Sequence, residues 1–159
     1  MQNQKITPFL WFDGRAEEAV NFYASIFKNS KVTSIKYWNK DSPFPKDQVM
    51  GATVELDGIK FHAFDAGPQF KFTEAISFFV SCEDQQEVDY FWDKLSAGGE
   101  KSQCGWLKDK FGVSWQIVPK ILDKLMSDSK HGNTKNVMTA LMQMKKLDVA
   151  ALQKAYDQK

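Results

Sequence analysis

Hydrophobic and polar positions alternate in short runs along the chain, and a helical spacing interrupts the alternation. Lys5–Phe12 is β-branched and aromatic and predicts a strand. The run RAEEAVNFYASIF has apolar residues at helical spacing, with Asp13 before it as a candidate N-cap. Three further strands are predicted at Lys31–Trp38, Gln48–Leu56 and Ile59–Ala66. Asp57-Gly58 is a typical hairpin turn between the last two, and Asp65 is expected at the surface or in a turn.

The same order of elements returns after the break GPQFKF. Glu74–Cys82 predicts a strand, and Asp84 with Glu87 forms a capping-box pattern at the start of the helix QQEVDYFWDKLSA. Gly98-Gly99 ends that helix. KSQCGWLK and VSWQIVP predict further strands around a turn at Phe111-Gly112. The chain therefore predicts a strand, a helix and three strands, twice.

Alignment of the two halves supports a tandem duplication. A shift of 68 positions pairs the two helices, with Val20 on Val88. At a second offset, DGIKFH falls on FGVSWQ, so that His62 pairs with Gln116. The predicted organisation is a first βαβββ module at 1–68, a second at 69–119 and a helical extension at 120–159, all in one structural domain.

The C-terminal extension has two runs with helical spacing, KILDKLMSDS and NVMTALMQMKKLDVAALQKAY, and His131 lies between them. Met138, Met142 and Met144 form a stripe that suits a binding surface, a core or a subunit interface. We favour the interface. Together with a half-open sheet, the stripe predicts a homodimer.

Composition and charge narrow the class of partner. The chain has 159 residues and a net charge of +1, with no basic stripe for nucleic acid and no apolar run long enough to cross a bilayer. MQNQKITPF lacks the pattern of a secretory signal, and two cysteines without a disulfide framework favour a reducing cytoplasm. We expect a small-molecule partner, with no nucleic acid and no membrane.

Four stretches resemble one known family: ITPFLWFDGRAEEAVNFYASIF, AISFFVSCEDQQEVDYFWDKLSAGGE, QCGWLKDKFGVSWQIVP and VMTALMQMKKLDVAALQKA. They are similar to the PhnB-like branch, labelled 3-demethylubiquinone-9 3-methyltransferase, of the glyoxalase/bleomycin resistance/dioxygenase (vicinal oxygen chelate) superfamily. The resemblance implies an α+β fold in which tandem βαβββ modules form curved mixed sheets around a cavity, with C-terminal helices added.

The resemblance also implies where a metal would bind. Metal-dependent relatives place two ligands on the first strands and two on the last strands, typically glutamates four residues after a turn glycine. His62 and Gln116 fall at the last-strand positions, and Thr7 and Ala75 lie nearest the first-strand ones. This quartet offers only one good ligand, whereas catalytic zinc needs three protein ligands. We therefore expect no metal cofactor, and a divalent metal remains the alternative.

The favoured function is a small-molecule-binding protein of the vicinal oxygen chelate fold that is independent of metal and whose activity the sequence does not assign. The predicted ligand-binding residues are Thr7, Trp11, His62, Ser77, Phe79, Cys104 and Gln116. The alternative is an enzyme, a lyase, dioxygenase or transferase, acting on a small oxygenated or aromatic substrate with His62 as the catalytic acid or base. A third interpretation is a dimeric scaffold whose cavity is filled by Phe and Trp.

Three details qualify these interpretations. No glycine-rich turn opens a helix after a strand, which argues against a nucleotide-type site for S-adenosylmethionine. Cys104 could be a nucleophile near His62, but the favoured interpretation is a small buried apolar residue. Trp115 alternates with Gln116 and should face the core, while the position of Trp106 stays open.

Overall fold

Two mixed four-stranded sheets, each with a helix following its first strand, form the framework of the structure. The structure is a computed structural model that describes residues 4–127 and 133–158. The chain divides into two compact units, Met1–Lys71 and Phe72–Lys159, and the C-terminal helices belong to the second. The predicted α+β class with tandem βαβββ modules is confirmed. His131, predicted to separate two C-terminal helices, lies outside the described residues.

The first unit contains β1 (Phe9–Phe12), α1 (Ala16–Ile26), β2 (Lys31–Tyr37), β3 (Val49–Leu56) and β4 (Ile59–Asp65). The sheet has the order β1-β4-β3-β2, with β1 parallel to β4 and the other pairs antiparallel. The predicted first strand began at Lys5, but pairing begins at Phe9, directly after Pro8, which has no N–H to add to the ladder. The α1 helix packs against β3 and β2.

The second unit repeats this arrangement with β5 (Ser77–Cys82), α2 (Gln85–Ser96), β6 (Glu100–Lys101), β7 (Trp106–Lys108) and β8 (Ser114–Pro119). Its sheet has the order β5-β8-β7-β6, with β5 parallel to β8. The strand β6 has two residues, whereas its counterpart β2 has seven. The two halves therefore share one topology and differ in the length of the outer strand.

The structure corrects the helix alignment by one residue. Buried residues of α1 match those of α2 at an offset of 69 positions, since Ala19, Tyr23 and Ile26 correspond to Val88, Trp92 and Leu95. The N-cap residues Arg15 and Asp84 are separated by the same 69 positions. Two amphipathic helices align almost equally well at neighbouring offsets, and only the packed face distinguishes them.

Two predictions about aspartates in the first unit are wrong. The N-cap of α1 is Arg15, not Asp13, and the Arg15 side chain makes no capping hydrogen bond to the helix backbone. The carboxylate of Asp65 caps the helix instead, because its Oδ1 accepts from the Ala16 amide at 3.0 Å. Its Oδ2 accepts from the Val49 amide at 3.0 Å. Asp65 is therefore a buried anchor, 2% exposed, and not a surface or turn residue.

The predicted capping pair of the second helix is confirmed in outline. The Asp84 side chain accepts from the Glu87 amide at 3.0 Å. The Glu87 carboxylate reaches back to the amide of Glu83, one residue before the cap. Two backbone amides at the start of α2 thus donate to carboxylates of residues only three or four positions away.

Each module ends in a hairpin with a positive-φ glycine. Asp57 and Gly58 have φ of 45° and 84°, as a two-residue hairpin turn requires. In the second unit Gly112 has φ of 88°, and the longer loop closes around Asp109. The Asp109 carboxylate accepts from the amides of Phe111 and Val113 and from the Trp115 indole at 2.8 Å. Trp115 is 3% exposed, so the prediction that it faces the core is confirmed.

The described residues of the C-terminal segment form three helices, α3 (Ile121–Ser127), α4 (Thr134–Gln143) and α5 (Val149–Asp157). The second predicted run is thus divided, and Asp148 caps α5 by accepting from the Ala151 amide. Leu125, Val137, Leu147 and Leu152 form a core with Val118 of β8. No helix in the described ranges is long and apolar enough to cross a membrane.

Candidate functional site

The first unit presents a mixed polar and aromatic face on the side of the sheet opposite α1. Register places Phe9, His62 and Thr53 in one row across β1, β4 and β3. The Thr53 hydroxyl and Nδ1 of His62 are 3.0 Å apart and hydrogen-bonded. The Phe9 ring is 5.8 Å from the imidazole and 59% exposed. His62 is thus half-buried, held through Nδ1, and flanked by an aromatic ring.

Trp11 belongs to the next row of the same face, beside Phe64. Its indole N–H donates to the Gly67 carbonyl at 2.7 Å. Its ring makes edge-to-face contacts with Phe64 and Phe70 at centroid distances of 4.8 and 4.9 Å. Trp11 therefore forms part of an aromatic cluster and uses its one polar group within the unit.

The second unit has a matching face with a different polar centre. Phe79, Gln116 and Trp106 form one row across β5, β8 and β7. The Gln116 amide donates from Nε2 to the Ser77 hydroxyl at 2.9 Å. Phe79 is 60% exposed, while Gln116 and Trp106 are half-buried. The neutral amide of Gln116 thus lies between two aromatic side chains and is bonded to a hydroxyl of the adjacent row.

The adjacent row of this face contains Ser77, Ser114 and Lys108. The Ser114 hydroxyl is buried and has no hydrogen-bond partner. The Lys108 ammonium contacts the Glu74 carboxylate at 2.6 Å. This hydrogen bond lowers the pKa of Glu74 and raises the pKa of Lys108, so both groups are charged at neutral pH.

Within each unit, the structure brings together some of the predicted ligand-binding residues. His62 and Trp11 share the first face, and Ser77, Phe79 and Gln116 share the second. Thr7 is half-buried and precedes β1. Within the sheets, Phe9 lies beside His62 and Phe79 beside Gln116, so the first strands align at an offset of 70 and not 68. Helix and strand offsets differ because the connecting turns differ in length.

Cys104 lies in the turn before β7. Its Sγ is 3.7 Å from the Met142 sulfur, and its amide donates to the Met144 carbonyl at 2.7 Å. The thiol is half-buried, so the expectation of a buried apolar residue is wrong. The buried cysteine is Cys82, where burial raises the pKa of the thiol to about 12 and makes it a poor nucleophile.

The donor set of the predicted quartet does not fit a zinc or iron site. Ala75 has no donor atom, is exposed and precedes β5. His62 and Gln116 are each hydrogen-bonded to a hydroxyl and supply one imidazole and one neutral amide. Across the described ranges, no group of three His, Cys, Asp or Glu side chains is arranged to hold a metal ion. A catalytic site of three such ligands therefore cannot be built from these residues.

Sequence reasoning missed three members of these faces. In the sequence, Thr53 and Ser114 have no feature that distinguishes them from other strand residues, and the position of Trp106 stays open. They can be identified once the hairpin turns establish which residues pair across the strands, because residues opposite each other in paired strands lie on the same face of the sheet. The Lys108–Glu74 ion pair had no signal, since a loop residue and a strand residue 34 positions apart meet only in the folded sheet.

The sequence profile of the family described as 3-demethylubiquinone-9 3-methyltransferase matches residues 4–118. The PhnB protein from Bacillus cereus is 40% identical, with a TM-score of 0.70 over 73% of this chain and 99% of that chain. No curated protein matches the chain.

Two more distant structures share the fold. Protein PA1353 from Pseudomonas aeruginosa is 22% identical, with a TM-score of 0.63 over 74% of this chain and 98% of that chain. A variant of the fosfomycin resistance protein FosX from Listeria monocytogenes is 14% identical, with a TM-score of 0.53 over 72% of this chain and 90% of that chain. That FosX structure is complexed with Mn(II) and 1S,2S-dihydroxypropylphosphonic acid.

Proposed function

This chain belongs to the 3-demethylubiquinone-9 3-methyltransferase family, within the vicinal oxygen chelate superfamily, and we propose that it binds a small aromatic molecule without a resident metal ion. The observation that carries the proposal is the Gln116–Ser77 hydrogen bond on the sheet face of the second unit, where Gln116 lies between Phe79 and Trp106. Ligand sites commonly combine apolar walls with a few polar groups that fix orientation.

The chemistry of this face favours an oxygenated aromatic ligand. Phe79 and Trp106 offer ring surface for stacking or edge contacts. The Gln116 carbonyl can accept a hydrogen bond, and the Ser77 hydroxyl can donate one while it accepts from Gln116. A planar ligand with a hydroxyl, carbonyl or amide group would satisfy both kinds of contact.

Independence from metal is supported by the residues at the positions where relatives carry ligands. A glutamine in place of a glutamate removes the negative charge that offsets a cation. The Gln116 amide is already turned toward Ser77, and His62 is turned toward Thr53. FosX was solved with Mn(II), so the proposal separates this chain from that relative in mechanism while keeping its fold.

The test combines metal analysis with a ligand screen. Protein purified without a chelating tag is expected to contain less than about a tenth of an equivalent of zinc, iron, manganese or nickel, since a site with three ligands would retain its metal. A library of neutral aromatic fragments, screened by ligand-observed NMR, is expected to give hits that Gln116→Ala and Trp106→Ala both weaken. Gln86→Ala, at an exposed position of α2, is the control. Stoichiometric metal, or hits that survive both substitutions, would contradict the proposal.

A second candidate function is an enzyme with His62 as acid or base. The hydrogen bond to Thr53 engages Nδ1, and in the described part of the chain Nε2 has no hydrogen-bond partner. An imidazole held at one nitrogen and open at the other is the arrangement that proton transfer uses. Once a turnover is found, an unchanged rate in His62→Ala would remove this role.

We also propose that the protein is a homodimer. Met138 and Met142 of α4 are 43% and 61% exposed, and exposed flexible apolar side chains on one helix suit a subunit contact. Met144 packs against the helical core instead and is not part of this surface. Sedimentation of the intact chain is expected to give twice the monomer mass of 18.2 kDa.

A further inference from the structure

The Ser114 hydroxyl of the second unit is buried, and the contacts described above give it no role. It is 1% exposed and has no hydrogen-bond partner. A buried hydroxyl without a partner is costly, and native structures keep few of them. It lies on the same face as Gln116, two residues along β8, and its neighbours in the row are Ser77 and Lys108.

The Lys108–Glu74 ion pair lies beside Ser114, and we infer that it covers the hydroxyl. Strand β8 lies between β5 and β7 in the sheet. Lys108 belongs to β7, and Glu74 lies three residues before the start of β5. Their contact therefore crosses β8, and Ser114 is the residue of β8 opposite Lys108. The cover is easily opened, because the Glu74 side chain is 63% exposed and exposed ion pairs contribute little to stability.

Opening the ion pair would expose three hydrogen-bond donors in one row. These are the Lys108 ammonium and the hydroxyls of Ser114 and Ser77. Glu100 of β6 lies opposite Lys108 and keeps a negative charge nearby after Glu74 leaves, so the ammonium stays protonated. Three donors, one of them charged, suit a carboxylate, whose two oxygens accept several hydrogen bonds.

We propose that Lys108, Ser114 and Ser77 form a subsite for the carboxylate of a small aromatic acid, and that Glu74 occupies this subsite in the free protein. The adjacent row, Phe79, Gln116 and Trp106, receives the aromatic ring. The inference rests on the proposed function, since it names the ligand class of the same face. Glu74 is then an internal competitor, and its removal strengthens binding.

The test uses benzoate and benzamide, which have the same ring and differ in charge at the group that would reach Lys108. Titrations of the full chain at low ionic strength are expected to show benzoate binding roughly tenfold tighter than benzamide. Glu74→Gln is expected to tighten benzoate binding several-fold and benzamide binding much less, because only benzoate gives the released Lys108 ammonium a charged partner. Lys108→Gln is expected to abolish the preference for benzoate. Lys94→Gln, on the exposed surface of α2, is the matched control.

Ser114→Ala separates binding from folding. Removing an unpartnered buried hydroxyl is expected to leave the melting temperature unchanged or raised. The same change is expected to weaken benzoate binding by roughly fivefold. A purely structural Lys108–Glu74 pair would instead give equal losses of stability in Glu74→Gln and Lys108→Gln, with no effect on benzoate.

The outcomes distinguish the subsite from the proposed function. Equal binding of benzoate and benzamide, or a preference that persists in Lys108→Gln, would overturn the subsite. The face would then be an aromatic site that does not distinguish a charged ligand from a neutral one. Binding of neither probe would also overturn the subsite. The proposed function is then decided separately by the screen of neutral fragments.

Discussion

The two units share a strand order but hold it together with different buried carboxylates. In the first unit Asp65 reaches from the end of β4 to the start of α1 and to β3. In the second unit the Asp109 carboxylate accepts hydrogen bonds from residues two to six positions away, within its own hairpin. One anchor connects distant segments, and the other closes a local loop. A duplicated fold therefore does not need duplicated polar contacts.

The two faces also differ in which strand supplies the hydroxyl that bonds the central polar residue. His62 takes its hydroxyl partner from the antiparallel neighbour β3, whereas Gln116 takes its partner from the parallel neighbour β5. The unpartnered Ser114 hydroxyl and the Lys108–Glu74 pair belong only to the second face. The backbone position is shared, and the side chains around it determine which ligand chemistry each face can support.

The largest expected effect is at Asp109. Asp109→Ala would leave two backbone amides and one indole N–H buried without an acceptor, and we expect a loss of about 4 kcal/mol in the free energy of unfolding. Urea denaturation measures the loss, and hydrogen exchange should locate it in peptides of the second unit. Trp115→Phe removes one of the three donors and replaces the buried indole with a smaller ring, so it should cost about 2 kcal/mol. Equal costs for the two substitutions would contradict the assignment of three bonds to one carboxylate.

Asp65 is expected to have the next largest effect. Asp65→Ala removes the acceptor of two buried amides, Ala16 and Val49, and should lower the free energy of unfolding by about 3 kcal/mol. The protection of α1 peptides against hydrogen exchange should fall first, because that helix loses its cap. Asp13→Ala is the control, since the exposed Asp13 has no capping role, and its effect should stay within about 0.5 kcal/mol. Destabilisation by Asp13→Ala alone would restore the cap predicted from sequence.

The smallest effect compares the two hairpin glycines. Gly58 and Gly112 have φ of 84° and 88°, and neither has an atom within 4 Å of the position of an added Cβ. Gly58→Ala and Gly112→Ala should therefore each cost about 1 kcal/mol, through backbone conformation alone. Thermal unfolding followed by circular dichroism measures both. Costs that differ by more than twofold would show that the hairpins are not equivalent.

Much of the fold could be predicted from local pattern. The strands, the helices α1 and α2, the cap at Asp84 and the turn at Asp57-Gly58 all depend on residues close together in sequence. The order of elements then revealed the repeat. The one-residue error in the helix alignment arose because amphipathic periodicity fixes a face only approximately, whereas burial in the packed helix fixes it residue by residue.

The candidate site could be predicted only in part. His62 and Gln116 were found as equivalent positions on the last strands, and Ser77 and Phe79 by alternation along β5. Their partners were not found. Thr53, Trp106 and Ser114 become neighbours through strand pairing, and pairing depends on register, which hairpin geometry and the hydrophobic pattern of the whole sheet determine together.

The sequence by itself determined the repeating order of elements, the amphipathic helices, the hairpin turns and the membership of a family, because each depends on local periodicity or on a matched stretch of chain. Only the tertiary structure decided that Asp65 is a buried cap, that Cys104 contacts Met142, and that Lys108 and Glu74 form an ion pair. Those contacts join residues 34 to 49 positions apart, or depend on which side of a strand becomes buried. Chain entropy opposes such contacts until the sheet has formed, so no short window of sequence encodes them.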